Sequence, residues 1–304
     1  MSAKLSNTER VISPARNVSR LIGGRQTSDG AGVSLTRYIA SSELEMFDPF
    51  LLLDTFRSDD PDDYIAGFPP HPHRGFETVT YLLEGSMRHK DSAGHEGVIR
   101  AGGVQWMTAG SGIEHSEMPE QEQGMLYGFQ LWVNLPAASK MITPRYQEFE
   151  VREIPLESRD GGVEVKVIAG TTIHGTTGVV TDIAAAPLYL DITLPGEVNF
   201  EEVITKGHNA FLYVIQGAVE VHGQDRTSRI ESNMLATLSS GERLEVSADP
   251  ATGEAARFLL VAGRPFNEPV ARYGPFVMNT QQEIQQAFVD YRSGSFGRIS
   301  GTGA

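Results

Sequence analysis

The sequence contains no cysteine among its 304 residues, only two tryptophans, and far fewer basic than acidic side chains. The lack of cysteine excludes disulfide bonds, thiolate metal ligands and a cysteine nucleophile. With 25 lysines and arginines against 39 acidic residues the formal charge is -14. We therefore expect no direct binding to nucleic acids or anionic membranes, because both are polyanions.

Long apolar runs are also missing. No stretch of the chain approaches the roughly 18 apolar residues that a membrane-spanning helix needs. The N-terminal residues MSAKLSNTERVISPARNV carry charge and no apolar segment, which is unlike a secretory signal. We expect a cytoplasmic protein that does not interact with membranes.

Short apolar runs separated by turn-forming residues make up most of the chain. The 32 glycines and 16 prolines divide it into segments such as TVTYLLEG, FQLWVNLP and FLYVIQGAVEV. These segments have the length of strands and are rich in β-branched and aromatic residues. The pattern predicts an all-β protein built from sandwiches or barrels.

Parts of the chain repeat. YLLEG at 81–85 matches YVIQG at 213–217, an offset of 132 residues, and two further pairs, SGIEH with SGERL and FQLWVNLP with FLLVAGRP, share an offset of 129. A common offset indicates two domains of the same architecture in tandem. We place an N-terminal β domain at 1–155 and a C-terminal one at 156–304.

A helix is predicted at the C-terminal end, at about 281–292. Thr280 and Glu283 form a capping box, and Gly294 is a plausible stop. The apolar residues that follow have the i, i+3, i+4, i+7 spacing of one helix face: Ile284, Ala287, Phe288 and Tyr291. This face is expected to pack on a domain surface.

Two pairs of potential ligands lie in the first domain. Residues i and i+2 of a strand share a face, so His71 and His73 project together, and so do His115 and Glu117. If the two strands are neighbours in a barrel, three imidazoles and a carboxylate converge on one point, a set that suits a divalent first-row metal. The spacing alone leaves a second interpretation open, in which the histidines are ordinary polar residues.

The second domain offers an internal comparison. At the two offsets the four positions correspond to Val203, Thr205, Leu244 and Val246, none of which is a metal ligand. The fold therefore does not need the histidines, and they are interpreted as a functional addition to one copy.

The stretches HPHRGFETVTYLLEG, QWMTAGSGIEHSEMP, FQLWVNLP and GPFVMNT resemble the pirin family of the cupin superfamily. The resemblance runs from about residue 45 to 292. It implies a bicupin of two jelly-roll barrels, face to face, with one mononuclear metal in the N-terminal barrel, and iron(II) as the expected ion. Matched position by position, the implied ligands are His71, His73, His115 and Glu117. Glu77 occupies the ligand position of the general cupin motif, so it is an alternative ligand or a hydrogen-bond partner of a ligand histidine.

The resemblance also implies an activity, because members of the family cleave flavonols such as quercetin with O₂. Such a quercetin 2,3-dioxygenase would use Glu117 as a general base and bind its flat aromatic substrate in an apolar pocket. Candidates for the lining are Phe68, Phe76, Met107, Phe129 and Trp132, with Trp106 beside them. Other members are metal- or redox-dependent regulators that bind a transcription factor or an enzyme, so a protein partner is the alternative. We expect a monomer, because the duplication supplies the barrel pairing that other cupins obtain by dimerising.

Overall fold

The computed structural model describes residues 14–196, 198–249, 251 and 254–297. The first 13 residues of the predicted N-terminal domain and the last seven of the predicted C-terminal domain lie outside the described residues. So does most of the N-terminal stretch that was compared above with a secretory signal. Among the described residues, no helix combines the length and the apolar character needed to cross a membrane.

Antiparallel strands form most of the structure. In the described part of the chain they are separated by tight turns and three short 3-10 helices (Pro61–Asp63, Ala137–Ser139 and Asp160–Gly162). The strands of the first half of the chain are β1 (Val18–Gly23), β2 (Arg25–Asp29), β3 (Val33–Ile39), β4 (Phe50–Ser58), β5 (Phe68–His73), β6 (Phe76–Glu84), β7 (Ser86–Asp91), β8 (Glu96–Arg100), β9 (Val104–Thr108), β10 (Ile113–Pro119), β11 (Leu126–Asn134) and β12 (Arg145–Phe149).

The second half of the chain repeats this series and then adds a short hairpin and a helix. The strands are β13 (Leu156–Ser158), β14 (Glu164–Ala169), β15 (Leu188–Leu194), β16 (Asn199–Val203), β17 (Asn209–Gln216), β18 (Ala218–His222), β19 (Thr227–Glu231), β20 (Met234–Leu238), β21 (Arg243–Ala248), β22 (Ala256–Gly263), β23 (Ala271–Tyr273) and β24 (Phe276–Met278). The helix α1 spans Gln281–Ser293.

In the part of the chain that the structure describes, each of two barrels has a seven-stranded and a four-stranded sheet. The first barrel has the orders β12-β9-β6-β11-β4-β3-β2 and β5-β10-β7-β8. The second has the orders β1-β20-β17-β22-β15-β14-β13 and β16-β21-β18-β19. The predicted all-β fold of two tandem jelly-roll barrels is confirmed.

The predicted C-terminal helix is also confirmed, with its capping box and its stop. The Thr280 hydroxyl accepts a hydrogen bond from the Glu283 amide, and the Glu283 carboxylate accepts one from the Thr280 amide. The helix ends at Gly294, which adopts the left-handed conformation that glycine accommodates without strain. Of the four residues of the predicted apolar face, Ile284 and Ala287 are buried and Phe288 packs partly buried against the same cluster, whereas Tyr291 is exposed.

The two ends of the chain are exchanged between the barrels, which corrects the predicted boundaries of 1–155 and 156–304. Strand β1 pairs with β20, so residues 18–23 complete a sheet of the second barrel. Conversely, the amide of Val277 donates to the carbonyl of Arg74, and Val277 is buried against Leu51 and Phe76 of the first barrel. The chain still passes from the first barrel to the second between β12 and β13.

The interiors of the two barrels differ. The seven-stranded sheets pack face to face, and a large apolar core between them joins Phe129 of β11 to Tyr213 of β17, whose ring centroids are 5.2 Å apart. Inside the second barrel one continuous apolar cluster fills the space. Inside the first barrel the apolar residues form three smaller clusters, and the space left between them holds polar side chains and a cavity.

Candidate metal centre

Strands β5 and β10 bring three histidines together. The antiparallel register places His115 directly opposite His71 and Ile113 opposite His73, so all three imidazoles lie on one face of this sheet. One ring nitrogen from each histidine lies within 4.8 Å of the corresponding nitrogen of the other two. The ring centroids are 4.6 Å apart for His71 and His73, 4.6 Å for His71 and His115, and 5.0 Å for His73 and His115.

The state of these imidazoles suits metal binding. His73 and His115 are buried, and burial together with the neighbouring imidazoles holds the pKa of both well below the usual range. They are therefore neutral at ordinary pH, as ligand histidines must be. The Nδ1 of His73 and both ring nitrogens of His115 are buried without a hydrogen-bond partner. Unpartnered buried nitrogens that converge in this way fit a coordinated cation.

Glu117 lies beside the cluster. Its Oε2 is 4.0 Å from Nε2 of His115, and its Oε1 accepts a hydrogen bond of 2.9 Å from the Thr80 hydroxyl. The side chain is buried, and burial raises the pKa of this carboxyl. A carboxylate at this place would complete a mixed nitrogen and oxygen ligand set.

A cavity of about 590 Å³ opens onto the cluster. His71, His73 and Glu117 form part of its wall, together with the aromatic rings of Phe68 and Trp132. A volume of this size is typical of sites for small organic molecules. The cavity therefore combines an apolar, aromatic wall with a polar end.

Three other residues predicted to line the pocket lie elsewhere. Phe129 faces the second barrel in the core between the sheets, so its prediction is wrong. Met107 packs in a separate cluster with Ala109 and Ile113. Phe76 lies behind the cavity wall, with its ring centroid 4.3 Å from that of Trp132.

Trp106, the sixth candidate, is buried in the core between the barrels and likewise does not reach the cavity. The reason is the same as for Phe129. Both faces of the large sheet are covered, so a strand that is apolar throughout does not reveal which side chains point inward.

Comparison with known proteins agrees with this fold. The family model described as Pirin matches residues 32–133, and the Pirin C-terminal cupin domain matches residues 189–297. A pirin-like protein of Caulobacter vibrioides is 53% identical over 93% of this chain and 100% of its own length. The chain belongs to the pirin family.

Further similarity covers nearly the whole chain. Pirin of Homo sapiens is 44% identical over 93% of this chain and 94% of its own length. Among solved structures, a quercetin 2,3-dioxygenase from Acinetobacter baumannii has a TM-score of 0.83 and 34% identity, and the match covers 93% of this chain and 99% of the other.

Glu77 does not face the histidine cluster of this pirin-family barrel. Strand β5 ends at His73 and β6 begins at Phe76, and the turn between them contains Gly75 with φ of +86°. The alternation of faces is therefore not carried from one strand into the next. Glu77 points into the interface between the barrels, where its Oε1 accepts a hydrogen bond of 2.7 Å from Thr108. The expectation that Glu77 is a ligand or hydrogen-bonds a ligand histidine is wrong.

His89 is a neighbour of the site that the spacing of potential ligands in the sequence does not single out. It lies on β7 directly opposite Glu117. Its Nε2 contacts the carboxylate of Glu148, and its ring stacks on Tyr146 at 5.9 Å. It also helps to lower the pKa of His115. Along β7 the exposed Arg88 and Lys90 alternate with the buried Met87 and His89. The alternate placing of the two basic residues in SMRHKD was the sequence signal that could have placed His89 inside the barrel.

The turn that carries His73 is held by the C-terminal part of the chain. The guanidinium of Arg74 donates 2.7 Å hydrogen bonds to the carbonyl of Ser111 and to Oδ2 of Asp290 in α1. The buried ammonium of Lys140 donates to the carbonyls of Gly75 and Val277, at 2.8 and 3.1 Å. A Cβ at residue 75 would lie 1.9 Å from the carbonyl oxygen of Val277, so only glycine fits this turn.

The second barrel has a different set of residues at the equivalent positions. If Leu244 corresponds to His115, the register of β16 with β21 makes Glu202 the counterpart of His71, one residue away from the predicted Val203. Val203 is 45% exposed and points outward. The Glu202 carboxylate is engaged by the guanidinium of Arg159 at 2.6 Å. In the part of the chain that the structure describes, no second cluster of potential metal ligands is found.

Proposed function

We propose that the protein is a metal-dependent dioxygenase of the pirin type, which cleaves flavonols such as quercetin with O₂ at one mononuclear metal ion. The observation that carries the proposal is the convergence of three neutral imidazoles at one end of an aromatic-walled cavity. The Acinetobacter baumannii quercetin 2,3-dioxygenase, with 34% identity over 93% of this chain, supports the same activity.

The residues that would hold the metal are His71, His73, His115 and Glu117. Three nitrogens and one carboxylate oxygen leave open positions on an iron(II) ion, which is the ion we propose. When bound, the ion would polarise the oxygens of a flavonol and supply the redox chemistry that O₂ requires. The depressed pKa values of His73 and His115 mean that no proton competes with the metal at neutral pH.

Glu117 is proposed as the general base for the flavonol hydroxyl. Its carboxyl has a pKa raised by burial, and a raised pKa makes a carboxylate a stronger base near neutral pH. The hydrogen bond from Thr80 fixes one carboxylate oxygen and leaves the other directed to the cluster. Phe68 and Trp132 supply flat apolar surface for the rings of the substrate and keep water away from the deprotonated oxygen.

A second candidate function is a metal- or redox-dependent regulator that binds a protein partner. The observation that favours it is the connection between the site and the surface. Arg74, which follows His73 directly, is ion-paired with Asp290 of α1 at 2.7 Å. A change at the metal could therefore alter a surface helix.

Elemental analysis paired with oxygen uptake tests both candidates. We expect about one metal ion per chain after loading with ferrous salt under anaerobic conditions, and O₂ consumption that depends on quercetin. His115→Ala should abolish both, whereas His174→Ala, which changes an exposed histidine of the second barrel, should alter neither. Stoichiometric metal without turnover of any flavonol or catechol would favour the regulator. Absence of metal from the loaded protein would contradict both.

A further inference from the structure

An arginine from the far end of the chain forms part of the cavity wall. Arg272 lies on strand β23, and Gly274 and Pro275 of the turn that follows line the same wall. The guanidinium carbon of Arg272 lies 4.6 Å from the ring centroid of Trp132. This cation–π contact holds the charged group on the same indole that lies 5.3 Å from the ring of His73. The guanidinium and the nearest ligand histidine are therefore no more than about 10 Å apart.

The hydrogen-bonding capacity of Arg272 is largely unused. Its Nη1 donates one hydrogen bond of 3.1 Å to the carbonyl of Leu51. A guanidinium has five N–H donors. Among the described residues, no carboxylate lies within 4.0 Å of the Arg272 guanidinium. A partly buried cation without an anionic partner carries a desolvation cost that an incoming anion would offset.

A buried acidic residue of the same cavity wall, Asp54, already has a cationic partner. Both carboxylate oxygens of Asp54, another residue of the cavity wall, accept hydrogen bonds from Arg37, at 2.8 and 2.6 Å. Arg37 also pairs with Asp29 at 3.0 Å. Burial and the nearby Arg37 lower the pKa of Arg272, although Asp54 and Asp29 oppose this effect. Arg37 and the two aspartates thus form one paired group, and Arg272 remains the cation of this wall with donors available.

We propose that Arg272 is a specificity-determining residue of the cavity and makes aromatic substrates that carry a carboxylate bind more tightly than uncharged ones, such as the flavonols of the proposed function. The inference rests on the proposed function to the extent that the ring oxygens of the substrate face the histidine cluster. A planar ring lies in the cavity beside Trp132, its adjacent oxygen atoms point towards His73 and its neighbours, and its carboxylate pairs with Arg272. Because the guanidinium and the ring of His73 are no more than about 10 Å apart, a single aromatic ring with substituents at opposite ends is long enough to contact both.

A matched pair of ligands isolates the charge. We would measure the affinities of 3,4-dihydroxybenzoate and 3,4-dihydroxybenzamide for the iron(II)-loaded full chain by anaerobic titration calorimetry. The two molecules have nearly the same shape, and only the first is an anion. We expect the acid to bind at least about tenfold more tightly than the amide, because a hydrogen bond to a charged group is the stronger kind.

Variants of Arg272 test whether the preference for the acid over the amide depends on this residue. Arg272→Gln should reduce the affinity for the acid about tenfold and change that for the amide by less than about twofold, and Arg272→Lys should keep part of the preference for the acid. Arg57→Gln is the matched control, since Arg57 also lies over an aromatic ring, that of Tyr127, but is exposed and outside the cavity wall. Metal content and melting temperature would be measured for each variant.

Several results would overturn the inference. They are equal affinities of the wild-type protein for the acid and the amide, a preference for the acid that survives in Arg272→Gln, and no binding of either ligand at millimolar concentration. The wild-type comparison needs no variant, so it decides the question even if Arg272→Gln fails to fold. Failure of the proposed function is recognised separately, since it would appear as selective binding of the acid with no O₂ uptake for any substrate.

Discussion

Replacing Glu77 with glutamine should remove a pH-dependent part of the folding stability. Glu77 is 1% exposed in the interface between the barrels. One carboxylate oxygen accepts a hydrogen bond from Thr108, and the other, Oε2, has no partner. Burial raises the pKa of Glu77 from 4.5 to about 7. The folded protein therefore holds a proton on Glu77 at pH values where the unfolded chain has lost it.

The sign and the size of the effect follow from this difference. Below about pH 4.5 both states are protonated, and Glu77 makes no pH-dependent contribution. Between about pH 4.5 and 7 the folded state binds more protons, so the free energy of unfolding falls as the pH rises. Above about pH 7 the loss is complete and amounts to about 3 kcal/mol. Glutamine does not titrate, so the variant lacks this loss.

Urea unfolding of the metal-free proteins at pH 5, 6, 7 and 8 measures the effect. The free energy of unfolding of Glu77→Gln minus that of the wild type should increase by about 2.5 kcal/mol between pH 5 and pH 8, since a small part of the loss has already occurred at pH 5. Any constant offset from altered hydrogen bonding does not matter, because only the change with pH is compared. Glu84→Gln, at the exposed end of the same strand, should show no such trend. A difference that stays flat from pH 5 to 8 would refute the reasoning.

Three further predictions concern the metal site and its support. His115→Ala should lower the metal content at least about tenfold and change the urea stability of the metal-free protein by less than about 2 kcal/mol, because His115 has no hydrogen bond to lose; global unfolding would contradict this. Glu117→Gln should reduce quercetin-dependent O₂ uptake by about 100-fold or more while losing less metal than His115→Ala. If Glu117→Gln instead loses more metal than His115→Ala and keeps its O₂ uptake, Glu117 is not the general base. Lys140→Met should lower the free energy of unfolding by about 2–4 kcal/mol, because the oxygens around its ammonium lose their donor; wild-type urea stability would show that these contacts contribute little.

The convergence of the histidines could be predicted because it depends on local geometry. The spacing of His71 with His73 needs only the alternation of faces along a strand. The pairing of β5 with β10 then brings His115 to the same point. The absence of histidines at the equivalent places in the repeat was also visible in the sequence, although the exact register there, with Glu202 opposite Leu244, was not.

The orientation of other side chains could not be predicted because local breaks and covered surfaces hide it. The turn at Gly75 separates β5 from β6, so counting residues from His73 gives the wrong face for Glu77. Strand β11 is buried or half-buried along its whole length. Its apolar residues divide between two interiors, with Phe129 facing the second barrel and Trp132 facing the cavity, and apolar character alone cannot distinguish them.

The exchange of the chain ends follows from pairing between distant residues, for which a short sequence segment gives no signal. It has a direct consequence for the site. The second barrel fills its own interior, yet the C-terminal segment that follows it supplies Arg272 to the cavity wall, the Val277 carbonyl to Lys140, and the Asp290 carboxylate to Arg74. A chain ending near residue 155 would retain the proposed metal ligands but leave the turn after His73 without these partners. The second barrel therefore contributes to the site through the segment it extends back to the first.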